Sequence, residues 1–259
     1  MKSPWSWKDN TTPFSSDDPQ HPGLALFKLR QFDDDRFELL EPFNYTRADG
    51  DVIPVDEKWL RGTDLASIPT FLGWFARRHG RHTPAALLHD QLIRNDDDTE
   101  APPLPPQAQL DPVEADLEFR KALRASDVAL LKSWVLWTGV TLGTRAQRLG
   151  RWPKAAIVAW FAAALTGTGL LVYGLTGPHW VWVTVALVAP VPFAGLWGRQ
   201  WQAGLIAGYA FWPVLFGSAP PFLAYQAYRA AEWLATALGR LRPEERRTAL
   251  PPPDPFGKR

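Results

Sequence analysis

The sequence predicts an α+β head followed by a helical transmembrane domain, and three observations carry that prediction. Residues 26–55 alternate short β-prone runs with turn signals, as a small antiparallel hairpin sheet requires. Two later segments repeat apolar residues at helical spacing, one carrying His89 and the other Asp116, and so form a two-helix His/Asp unit. From Ala155 to Gly198 there is no Asp, Glu, Lys or Arg, a gap long enough for two membrane helices.

The 259 residues suffice for one or two domains with a real core. Up to Asp127 there are 23 acidic against 15 basic residues; from Val128 onward there are 4 against 13. An acidic front half argues against a nucleic-acid grip, so no nucleic-acid partner is expected. Basic residues flanking apolar runs point to a lipid bilayer instead. The absence of cysteine excludes disulfides and thiolate metal sites and fits a reducing cytosol. The N-terminus lacks an apolar core of signal-peptide length, so export of the head by a cleaved signal is not expected.

Residues 1–23, rich in Ser, Thr, Pro and Asp, read as a flexible tail, and the head is expected over 24–152. Within it 26–30 and 36–40 read as strands around a solvated Asp33-Asp34-Asp35 turn. A second hairpin joins 43–46 to 52–55 through Ala48-Asp49-Gly50, where Asp-Gly suits a tight turn. Trp59 to Asp64 is expected to end the sheet as a strand. Thr83-Pro84 then starts a helix, with Thr as N-cap and Pro at the first position. On it Ala85, Leu88, His89 and Leu92 share a face, and Asp90 lies about 100° around. After a proline-rich loop, Asp111-Pro112-Val113-Glu114 resembles a capping box. The helix it opens lines up Pro112, Asp116, Phe119 and Leu123. An aspartate in that stripe requires a partner, since burying it alone costs several kcal/mol. His89 is the expected one.

Residues 129–142 are short of a span and are expected to pack on the head or lie at the interface. Arg145, Arg148, Arg151 and Lys154 read as a basic collar at the membrane. The helical membrane domain is expected over 153–240, with spans at about 155–175 and 180–197 turned by Thr176-Gly177-Pro178. Trp152, Trp160, Trp180, Trp182 and Trp197 fall near the interfaces. Residues 203–226, interrupted by Pro213 and Pro220-Pro221, read either as a third span or as a re-entrant pair. The tail, 241–259, is basic and proline-rich. The positive-inside tendency puts the collar, and the head before it, on the cytoplasmic side of an inner membrane.

A histidine, its neighbouring aspartate and a third aspartate on a facing helix can support acid–base chemistry around a cation. The same residues can form a purely structural network, with Asp116 fixing His89 in the core and Asp90 capping a loop amide. Asp64 can equally cap the turn that follows it. His79 and His82, beside Arg77, Arg78 and Arg81, lack the spacing of a nucleotide-cleaving metal site, and these arginines are expected to face solvent or headgroups.

Three ordered motifs, TDLASIP, GRHTPAALLHD and EADLEF, resemble a phage- and prophage-associated family, domain of unknown function family 1353, over roughly 24–152. That resemblance implies a phage or prophage setting and no defined activity. Asp64-Leu65-Ala66-Ser67, Leu88 to Asn95 and Ala115 to Phe119 are also similar in order to the prokaryotic secreted phospholipase A₂ group. This second resemblance implies that His89 activates water and Asp116 orients it. Asp64 and Asp90 would hold Ca²⁺ with a carbonyl near Leu65, and the cation would polarise the ester of a phospholipid. The chain departs from that group in lacking disulfides, in having Ile93 for an aromatic, and in the lengthened gap from His89 to Asp116. Two functions are therefore expected in alternative: a membrane-anchored, lipid-directed hydrolase, or a non-enzymatic phage membrane protein whose head docks envelope or virion proteins.

Overall fold

The structure is a computed structural model that describes residues 12–16, 27–33, 36–60, 62–63, 80–94, 102–147 and 149–238, apart from the side chains of 211–215 and 236–238. Asp64, Arg77, Arg78, His79, Arg148 and the tail at 241–259 lie outside the described residues, as does most of 1–23. The architecture is α+β: small antiparallel sheets and a majority of helices.

Within the stretch expected to be loose, Phe14–Ser15 forms β1 and pairs with β4 (Phe43–Thr46), which pairs in turn with β5 (Val52–Val55). The reason is aromatic burial. Phe14 is fully buried and meets Phe27, Phe43 and Tyr45 at ring-centroid distances of 6.3, 5.8 and 5.2 Å. The β4–β5 register, from Phe43 opposite Val55 to Thr46 opposite Val52, places the hairpin where the sequence does. Gly50 there adopts φ +96°, which glycine takes without steric cost. The other expected hairpin is β2 (Leu29–Gln31) with β3 (Phe37–Leu39).

The described residues of the expected strand at 59–64 do not form one. Glu57–Leu60 is instead a helical turn, α1, and Thr63 makes an isolated antiparallel bridge to Phe37. Asp56 starts α1 by accepting the Lys58 N–H at 3.1 Å. Glu57 then holds the corner, one carboxylate oxygen accepting from Leu39 N and the other from Gly62 N, each at 2.7 Å. Burial pushes the Glu57 carboxyl above its ordinary value, with both backbone donors opposing. Glu57→Ala strands two N–H groups and is expected to lower stability by about 2–3 kcal/mol in urea unfolding, while Glu57→Gln, which keeps acceptor capacity, costs less.

Four helices follow: α2 (Thr83–Leu92), α3 (Pro112–Ala125), α4 (Leu130–Gln147) and α5 (Arg151–Leu175). α4 packs along α3, the head-bound choice of the two expected for that segment. α5 turns at Thr176 to Pro178 into α6 (Trp180–Val188) and α7 (Pro190–Gly195). The turn is tight. A Cβ on Gly174 would lie 2.9 Å from the Val183 nitrogen, and His179 stacks flat on Tyr173 at 4.6 Å. A 3-10 turn at Gly198–Gln200 leads into α8 (Trp201–Leu238).

Among the described residues one helix, α5, is long and apolar enough to cross a membrane, and 6% of its most apolar 18 residues are buried. The expected second span is apolar but shorter than predicted: α6 and α7 run from Trp180 to Gly195, with one helical-backbone residue, Ala189, between them ahead of Pro190. The segment expected to be a third or re-entrant span is helical throughout, Pro213 and Pro220-Pro221 included. Trp152, Trp180 and Trp182 are exposed as interface anchors would be, but Trp160 and Trp197 are buried. Those two rings pack edge-on at 6.2 Å, a core contact rather than a lipid-facing one. The chain divides into two compact units, one ending at Ala210, so the head and the α5–α7 hairpin share a unit and no boundary falls near residue 152. In the second unit, the part of α8 from Phe211 onward has Phe216, Leu223, Tyr228 and Trp233 exposed.

Candidate functional site

The site is assembled on α2 and α3. Thr83 is the first residue of α2 rather than its N-cap; its hydroxyl accepts the Gly80 N–H at 2.9 Å, and His82 occupies the cap position. Every side chain of α2 except Asp90 is buried, so the helix is enclosed all round and not on one face alone. Gln91 pins it to β5, donating to Pro54 O at 2.7 Å and accepting from Asp56 N at 3.1 Å. On α3, Asp111 accepts from Val113 N at 2.8 Å and Glu114 N at 2.9 Å, the expected cap.

This framing brings His89 and Asp116 together. His89 Nε2 lies 2.9 Å from Asp116 Oδ1, with His89 4% exposed and Asp116 0%. The imidazole also rests on the Phe119 ring at 5.1 Å, so two turns of α3 hold it. Oδ1 accepts a second bond from the Thr144 hydroxyl at 2.8 Å, and Oδ2 accepts from Gln200 Nε2 at 2.7 Å. Gln200 is anchored in turn by Arg145, whose Nε donates to its Oε1 at 3.1 Å. Arg145 also donates to the Trp197 carbonyl and stacks at 5.1 Å on the Trp197 ring. Burial lowers the Arg145 pKa, and the Asp116 charge opposes that. The buried carboxylate has two assigned donors, the Thr144 hydroxyl and the Gln200 amide, beside the His89 ring, and Arg145 stands behind Gln200, which answers the cost of removing it from water.

Thr144, Arg145 and Gln200 were not among the residues expected at the site. Arg145 belongs to the network and not to a membrane collar; it is 6% exposed, whereas Arg151 and Lys154 face outward. A sequence signal existed for α4: Ser133, Trp137, Thr141 and Thr144 recur at helical spacing and are all buried. For Gln200 none did.

Asp90 is not part of this cluster. It takes the Thr63 hydroxyl on the other side of α2. Among the described residues no group of three or more His, Cys, Asp or Glu is placed to hold a metal ion. Asp64 and Leu65, which complete the expected Ca²⁺ site with Asp90, lie outside the described residues. Arg81 is exposed and pairs with Asp127 at 2.8 Å.

A second buried carboxylate lies two residues along α3. Glu118 accepts the Tyr45 hydroxyl at 2.9 Å and the Lys121 ammonium at 2.9 Å, with Arg47 at 3.6 Å. Burial, and next the Glu118 charge, hold the Tyr45 phenol well above its ordinary value. A group whose pKa is raised on folding contributes stability that is complete below the unfolded value and lost above it. Stability is therefore expected to fall as pH rises past about 10, and Tyr45→Phe to flatten that fall in urea titrations below and above that pH.

Residues 37–140 match the model of the family described as Protein of unknown function (DUF1353). The DUF1353 match contains β3 to β5, α2 and α3, and with them both His89 and Asp116. Thr144, Arg145 and Gln200 lie beyond it. No curated protein and no solved structure matches the chain.

Proposed function

We propose that this chain is a membrane-anchored protein of phage or prophage type whose head is a lipid-directed hydrolase, with His89 as general base and Asp116 as the residue that orients it. The observation that carries this reading is the 2.9 Å contact between His89 Nε2 and Asp116 Oδ1, on a carboxylate whose oxygens accept two further donors. The reading requires Asp116 to act as acceptor, which puts the proton on Nε2 and leaves the Nδ1 lone pair free to take one. Nδ1 then takes a proton from water as the oxygen attacks an ester carbonyl, and the imidazolium returns that proton to the departing alkoxide.

Attachment rests on α5. Its exposed apolar residues, Val158, Leu165, Val172 and Leu175 among them, suit lipid, and Arg151 and Lys154 at its start favour a cytoplasmic entry from an inner membrane. A head tethered there meets phospholipid continuously. A second reading, a docking module for envelope or virion proteins, is favoured by the burial of Asp116 and His89 and by the internal satisfaction of the carboxylate. Vesicles of anionic phospholipid and short-chain esters, incubated with the full chain, separate the two. Hydrolysis that His89→Gln abolishes supports the first; a folded protein that cleaves neither substrate leaves the second.

A further inference from the structure

The residues that complete the Asp116 network arrive from beyond the apolar hairpin. After α5, α6 and α7 the chain returns to the head at Trp197–Gln202, where five polar contacts meet α3 or α4. Arg199 lies 3.6 Å from Glu114, Gln200 donates to Asp116, and Arg145 donates to both Gln200 and the Trp197 carbonyl. Gln202 accepts from Arg120 at 2.7 Å, and that guanidinium is itself stacked 3.5 Å above Trp134. Shape holds the segment as tightly as charge does. Trp197 is 1% exposed, and a Cβ on Gly204 would fall 2.8 Å from its ring. Trp197 also packs on Trp160 of α5, so the return segment touches the hairpin on one side and the dyad on the other.

We propose that Trp197–Gln202 is a latch through which the folded state of the α5–α7 hairpin sets the hydrogen bonding of Asp116, with Gln200 as the positioning residue. It rests on the reading of His89 and Asp116 as the reacting pair. In physical terms, displacing the hairpin moves Trp197, withdraws the Gln200 amide from Oδ2 and frees Arg145 from its partner. The carboxylate then loses a donor and the rigidity that keeps Oδ1 on the imidazole. The matched family domain would thus carry the pair, and the segment following it would control the pair's assembly.

The experiment uses the full chain with ¹⁵N-labelled histidine in phosphatidylglycerol nanodiscs and follows exchange of the His89 Nε2 proton with water. Gln200→Met removes the amide at similar volume. Gly174→Val acts at the far end of the hairpin, where a Cβ would sit 2.6 Å from Val183 Cγ2. Both variants are expected to exchange that proton about tenfold faster than wild type, while the backbone amides of Ile53 and Val55 keep their protection. Wild-type exchange in both variants overturns the latch; so does acceleration in Gln200→Met alone, since the hairpin then does not reach the carboxylate. Should Gln200→Met fail to fold, Gly174→Val decides. Vesicle hydrolysis on the same preparations keeps the two readings apart: accelerated exchange without hydrolysis in any of them supports the latch and removes the reaction.

Discussion

Asp116→Ala is expected to lower the stability of the full chain by about 3–5 kcal/mol, the cost of breaking a buried charge network from one side. The carboxylate receives His89 Nε2, the Thr144 hydroxyl and the Gln200 amide, and Arg145 stands behind Gln200. Removing it leaves three polar groups without their acceptor and a cation 6% exposed without its counter-charge. Asp116→Asn keeps one acceptor oxygen but turns an N–H₂ towards a donor, so a smaller loss is expected. Urea unfolding followed by circular dichroism reads both. A change within error of zero for Asp116→Ala would mean that the cluster contributes no net stability.

His89→Gln is expected to reduce hydrolysis by about 10²–10⁴-fold, the usual contribution of a positioned general base. A glutamine amide can still donate to Asp116, so the packing of α2 on α3 is preserved, but the amide cannot accept a proton from water and return it. Activity therefore falls while the urea midpoint moves little. That separation distinguishes the base from a structural histidine, whose replacement would move the midpoint and leave any rate unaffected.

The local signals in the head were legible because they act over a few residues. The Phe43–Thr46/Val52–Val55 hairpin, the Asp111 cap and the His89–Asp116 partnership all follow from period, turn chemistry and the cost of an unpaired buried aspartate. Where long-range packing decides, the reading diverged. Phe14 enters the sheet because distant aromatic rings bury it, and Trp160 and Trp197 face each other instead of lipid. Arg145 looked like one of a row of surface cations, yet Gln200 and Trp197, more than fifty residues later in the chain, draw it inside. Gln200 itself gave no signal, since an isolated amide after an apolar run fits a loop as readily as a buried network. The second apolar segment differs for a nearer reason: it ends at Gly195, two residues before the expected 197.

The ¹⁵N chemical shifts of the neutral His89 ring in the full chain test the central geometry most directly. A proton on Nε2, hydrogen-bonded to Asp116, and an unprotonated Nδ1 are expected. A neutral ring carrying its proton on Nδ1 would contradict that geometry, because the nitrogen facing the carboxylate would then have nothing to donate and the opposite one nothing with which to take a proton.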